Sequence, residues 1–213
     1  MATRPVFMAF EKAPYVVEYH PEFVWNSGFA VSQKRKNICA LHEAFAARRP
    51  DAKVLEISSK SMQELGVRLS AFHLMKEMPS LGKRIPVECA FQGSKEFLRG
   101  GPFQDLYEAT PRDAKRDARR KENGPLCGFI LEEKKFPLRP TTAFYNWLYI
   151  NALLEDPALG AELLAYDAFT DIEFNPEKSS NCQARAAALF VALSRQGLAE
   201  SCRDFDTFVK LAY

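Results

Sequence analysis

Three side chains able to move protons or place charge fall in one short stretch, VECAFQGSKEF from Val87 to Phe97: Glu88, Gln92 and Lys95. At i, i+4 and i+7, a carboxylate, an amide and an amine line one face of a helix. Such a row is either a solvated polar stripe or the edge of a site. In a site, Glu88 would act as general acid or base, Gln92 would orient, and Lys95 would supply a cation. Val87, Ala90, Phe91, Phe97 and Leu98 give the segment an apolar stripe at helical spacing. Pro86 precedes it, where a missing N–H costs least, and Gly100-Gly101 stops it. The pattern predicts one helix running from Val87 up to the glycine pair.

Other residues of the right types lie further off. Lys34, Arg35 and Lys36 crowd the first turn of a helix that Ser32 is expected to cap, with Ile38, Leu41, Ala44 and Phe45 as its buried stripe. Cations sit badly at that end of the helix dipole, so they either point to solvent or await an anion. Ser58 to Ser70 is polar, carries Arg68, and reads as a loop. YDAFTDIEFNPEKSS, from Tyr166, puts Asp167, Asp171, Glu173 and Asn175 in one stretch. That is an ordinary acidic loop or a second carboxylate opposite Glu88; it lacks the glycine of an EF-hand. From Arg112 to Glu122 six cations meet three acids, either as a solvated helix or as a patch for a nucleic-acid backbone. The three histidines are scattered and the five cysteines show no zinc or disulfide spacing, so no metal or other cofactor is expected.

The elements that must carry these groups are read from composition and pattern. The chain has 213 residues, 47% hydrophobic and 12% aromatic, enough for a substantial core in one domain. A net charge of +2 draws it to neither nucleic acid nor membrane as a whole. Ala186 to Leu193 is the longest apolar run, too short for a bilayer, and no signal-like segment opens the chain, so a cytoplasmic monomer is expected. Strands are predicted at Val6 to Phe10, Tyr15 to Val24, Lys53 to Ile57 and Cys127 to Leu131. Helices are predicted after Thr110-Pro111, after Thr142, from Pro157, from Cys182 to Gln196 and from Asp204 to Tyr213. The expected fold is mainly α with a few short strands near the N-terminus, and α+β as the fallback.

These stretches carry a family resemblance. Pro86, Glu88, Phe91, Gln92, Lys95 and Phe97 resemble the P-T-x-E-H-Y-F-Q-A-Q-K-F signature of the NADAR (YbiA-like) family, with one residue inserted before the last and Cys89-Ala90 in place of His-Tyr. Ser58, Ser61, Leu69, Ser70 and Phe72 are similar to its F-Y-S-x-S…F-S-N-F segment. Tyr166 to Leu193 resembles its D-A-Y-W-G…K-N-R-L-G-x-L-L-M ending, with Asp167 at the aspartate, Thr170 where the family has Trp, and Arg185 at the Arg. The order of the blocks is the family's, with residues 57–200 as its body and 1–56 as an N-terminal extension. The wording is most similar to the branch paired with DarT-type DNA ADP-ribosyltransferase toxins.

The resemblance implies an ADP-ribosylglycohydrolase that frees guanine in DNA, releases ADP-ribose, and so serves as antitoxin to the cognate toxin. Its catalytic set would be Glu88 as acid or base, Asp167 or Asp171 as second carboxylate, and Lys34 as the Schiff-base lysine, with Lys60 and Lys95 in reserve. Ser58, Arg68, Gln92, Lys95, Asn175 and Arg185 would hold the substrate. Two rival readings are an N-glycosidase acting on a small phosphorylated sugar-amine and a non-catalytic module that binds ADP-ribose or the toxin.

Overall fold

The computed structural model describes residues 1–213. The chain opens with β1 (Ala2–Thr3), β2 (Val6–Ala9), β3 (Val16–Tyr19), β4 (Glu22–Phe23), α1 (Val31–Ala46) and β5 (Val54–Glu56). The middle holds α2 (Glu64–Arg68), β6 (Met75–Met78), β7 (Lys83–Pro86), α3 (Val87–Gly93), β8 (Lys95–Phe97), α4 (Pro111–Arg116), α5 (Arg119–Glu122), β9 (Leu126–Leu131) and β10 (Lys134–Phe136). The end holds α6 (Ala143–Leu154), α7 (Pro157–Leu163), β11 (Ala168–Thr170), α8 (Gln183–Arg195) and α9 (Phe205–Ala212). At 42% helix and 18% strand in four sheets the fold is α+β, which overturns the expectation of a mainly helical chain.

The central sheet has the order β3-β2-β11-β5, with β11 antiparallel to β2 and parallel to β5. Side chains alternate across it. Phe7, Ala9, Leu55 and Phe169 face the large core built with α6 and α8. Val6, Met8 and Ala168 face the other way, onto Ile38, Leu41 and Phe45 of α1. With both faces covered, all four residues of β2 are buried. Such a strand reads as a short apolar run rather than an alternation. β2 was predicted; the strands missed in the sequence, β1, β6, β7, β8, β10 and β11, have two to four residues each and show almost no period of two.

Three local corrections bear on the site. The helix predicted from Val87 ends at Gly93, and Lys95 begins a strand. Gly93 packs so closely that a Cβ there would lie 2.4 Å from the Tyr107 ring, and Ser94 closes the helix by donating to the Phe91 carbonyl at 2.9 Å. The N-cap of α1 is Ala30, without a side-chain bond, rather than Ser32. The segment after Ser58 is not all loop, since it contains α2. Thr110 does cap α4, accepting the Asp113 amide, as its sequence suggests.

Candidate active site

The parallel pair β5–β11 brings two carboxylates together where the strands end. Thr170 is in register with Glu56, so Asp171 follows beside Ile57. The carboxyl ends of parallel strands are where open α/β sheets place their sites. Glu56 is fully enclosed: Oε1 accepts the Ile172 amide at 2.9 Å, Oε2 accepts the Thr170 hydroxyl at 2.6 Å, and the Ser58 hydroxyl lies beside it. Asp171, 9% exposed, accepts only the Glu173 amide, at 3.0 Å on Oδ1. Burial and the Glu56 carboxylate push Asp171 up to about 8.

The row predicted from spacing forms despite the shorter helix. Every residue of α3 is buried. Its first two amides are satisfied from outside the helix, Val87 by the Leu74 carbonyl and Glu88 by that of Ala71, both at 2.9 Å. Gln92 Nε2 donates to Glu88 Oε1 and Lys95 Nζ to Gln92 Oε1, each at 2.8 Å. Glu88 is 5% exposed, and its Oε2 has no protein partner. Lys95 Nζ also lies 4.4 Å from the Phe91 ring centroid. Burial, then Arg120, lowers Lys95 to about 8, with Glu88 opposing and Lys115 assisting.

Tyr145 and Lys115 each lie near enough to members of both clusters to be coupled to them electrostatically. Burial raises the Tyr145 phenol far above its usual range, and both Glu88 and Asp171 add to the shift. Lys115, on α4, acts on Asp171 and on Lys95 and lies 5.4 Å from the Phe72 ring. Lys34 arrives from α1: Nζ is 3.1 Å from Glu173, two residues beyond Asp171, and its side chain is only 18% exposed. Arg35 and Lys36 turn aside to line an open recess of about 620 Å³ with Cys39 and Glu43.

Several sequence candidates occupy other places. Asp167 stands at the opposite end of β11, about 13 Å of strand from Asp171. It is bound there by Arg195 at 2.9 Å and by the Lys53 amide at 3.0 Å. Arg68 pairs with Glu162 of α7 at 3.1 Å. Asn175 accepts the Glu177 amide at 3.0 Å and so caps its own turn. Arg185 opens α8 with Nη1 buried and unpartnered. Ser58 is buried, its Oγ accepting the Lys60 amide at 3.1 Å and, as noted, lying beside Glu56. Glu56 and Tyr145 were not singled out in the sequence; Thr170 was noted there only as standing where the family has Trp, and Lys115 only among the six cations after Pro111. Glu56 did carry a signal, as the lone charge inside the apolar strand run Val54 to Ile57.

Two carboxylates without full partners, a buried amide, the partly buried Lys34 and Lys95 and an aromatic wall are the kinds of group that acid–base chemistry at a glycosidic bond uses. The family model described as DarT1-associated NADAR antitoxin matches residues 2–213, and the chain belongs to that family. The protein is thus an antitoxin associated with a DarT toxin, in a family whose members are in general N-glycosidases. A search of curated proteins finds no match. No helix is long and apolar enough to cross a membrane.

Proposed function

We propose that this antitoxin hydrolyses the bond between ADP-ribose and guanine in DNA and so reverses the toxin's modification. What supports the reading is that Glu88 and Asp171 are buried and both act on the Tyr145 phenol, with Lys34 paired to Glu173 two residues beyond Asp171, in a member of this family. Asp171, protonated near neutral pH, donates a proton to the departing base nitrogen. The Lys34 amine attacks the anomeric carbon, and the carbon–nitrogen bond to guanine breaks. The ribosylamine so formed passes a proton from its nitrogen to the ring oxygen and opens at the C1–O4 bond to an imine on Lys34, which water, deprotonated by Glu88, hydrolyses to ADP-ribose and free lysine. Glu88 also offers negative charge to the oxocarbenium-like ribose. Lys95, Lys115 and Arg120 gather positive charge for the diphosphate. Lys95, a reserve for the Schiff base, is assigned to binding; its amine donates to Gln92 as that of Lys34 pairs with Glu173, so the choice of Lys34 rests on the family resemblance.

The test is a time course with a guanine-ADP-ribosylated oligonucleotide. Wild-type protein should release ADP-ribose and restore the DNA, and Glu88→Gln should slow release by at least a hundredfold with binding retained. Borohydride added during turnover should link ADP-ribose to the wild type and to Lys95→Met, but not to Lys34→Met. Absence of release from the wild type would remove the hydrolase reading and leave an antitoxin that works by binding.

A further inference from the structure

Glu56 and Asp171 lie too close to be charged together, and hydrogen bonds decide which of them keeps the proton. The Thr170 hydroxyl has one proton and, with Glu56 as the carboxylate, gives it to Oε2 at 2.6 Å. His42 Nε2 lies 2.8 Å from the same hydroxyl oxygen, which can now only accept. His42 must therefore donate from Nε2, which a neutral imidazole with its proton on that nitrogen does. Its burial, which lowers it to about 4, keeps it neutral. The result is a one-way chain, His42 to Thr170 to Glu56, reaching from α1 across the sheet face. The Ile172 amide fills the other oxygen of Glu56.

We propose that His42 and Thr170 are positioning residues: their donor chain holds Glu56 as the carboxylate and so leaves the shared proton on Asp171, on the oxygen that faces the site. The observation is the contrast in donors. Glu56 accepts a hydroxyl and an amide, with the Ser58 hydroxyl alongside, whereas Asp171 accepts one amide and its Oδ2 accepts nothing. Hydrogen bonds offered to a charged form favour that form. The other groups around Asp171 are Glu173 on its own loop, Lys115 on α4, Tyr145 and Tyr149 on α6, and Cys182 before α8. Lys34 of α1 is engaged by Glu173. None of them donates a hydrogen bond to Oδ2. The chain's relevance to turnover rests on the hydrolase reading above; the placement of the proton does not.

Placement is tested without substrate, by infrared difference spectra of the full protein at pH 7. The C=O stretch of a protonated carboxyl should shift when aspartate carboxyls are ¹³C-labelled, stay put when glutamate is labelled, and be absent in Asp171→Asn. A band that follows the glutamate label overturns the proposal, whether or not DNA is hydrolysed. Turnover then tests the chain. In Thr170→Val, Glu56 competes for the proton, so kcat should fall about tenfold. The alkaline limb of the pH profile should also move up, because the pair as a whole binds its proton more tightly. Thr170→Ser should restore both. Should Thr170→Val not fold, His42→Leu and His42→Gln take its place, since only the glutamine can still donate to Thr170. A fall in rate with an unmoved limb, or equal profiles for leucine and glutamine, means a packing role alone and overturns the proposal.

Discussion

Lys95 shows how a single side chain records the cost of building this site. Its amine lies over the Phe91 ring, bonds Gln92, and is driven from 10.5 to about 8 by burial and by Arg120. A lysine whose folded pKa is depressed binds fewer protons folded than unfolded between those limits. Stability therefore rises with pH from about 8 to 10.5, and at pH 7 the charged amine is a penalty of up to about 3 kcal/mol. Asp171 has the opposite sign. Its folded pKa is raised from 3.8 to about 8, so its contribution is full below pH 4 and is lost as pH climbs through 8. Chemical denaturation across pH should reflect both. Lys95→Met should gain about 1–2 kcal/mol at pH 7, after losing the Gln92 bond, and should flatten the rise above pH 8. Asp171→Asn should flatten the fall between pH 4 and 8. If neither slope changes, neither group is titrating in the buried surroundings described.

At the scale of elements, close backbone packing holds the two carboxylates. Gly66, in α2, sits against the end of β5: a Cβ there would fall 2.0 Å from the Glu56 carbonyl oxygen and 2.4 Å from Ser61 Oγ. The near atom is backbone, so a side chain cannot be accommodated by a rotamer change. Gly66→Ala should cost about 3 kcal/mol and displace Glu56, lowering activity beyond what the loss of folded protein explains. Gly82 is the control: its φ is +60° but nothing lies within 4 Å, so Gly82→Ala should cost only about 1 kcal/mol of backbone strain and leave activity intact. Melting temperature and specific activity of the two variants settle the comparison. The sequence offered unequal access to these elements. The Glu88–Gln92–Lys95 row was legible because helical spacing puts i and i+4 together, and it survived the end of the helix at Gly93 because Lys95 still reaches Gln92. The Glu56–Asp171 pairing was not legible, because 114 residues separate Glu56 from its partner strand's Thr170, and no local period reports a parallel pairing. Asp167 and Asp171 looked equivalent in one acidic stretch until three strand residues intervened and sent them to opposite ends of β11.

Over the whole molecule charge is nearly balanced, at +2, so any attraction to DNA must come from its distribution. The segment of α4 and α5 concentrates it. Arg119 is neutralised by Asp105 and Asp117, with bonds of 2.7 and 2.8 Å, and Arg120 turns back onto the Lys115 carbonyl. Arg112, Arg116 and Lys121 make no ion pair and are exposed, on the same short segment whose Lys115 reaches the site. A strand whose modified base enters the site would lay its phosphates along these three cations. They hold phosphate without reading base sequence, so their effect should depend on salt and on the length of the substrate. Replacing all three by alanine should raise KM for an ADP-ribosylated oligonucleotide at low salt about tenfold and reduce the slope of log kcat/KM against log salt by about 2, in proportion to the contacts removed. An ADP-ribosylated guanosine, with no flanking phosphates, should be turned over equally by both proteins. Equal losses on the oligonucleotide and the nucleoside would place the three cations in the site itself. No loss on either would mean that they are only a solvated face, and that the strand leaves the site along another path.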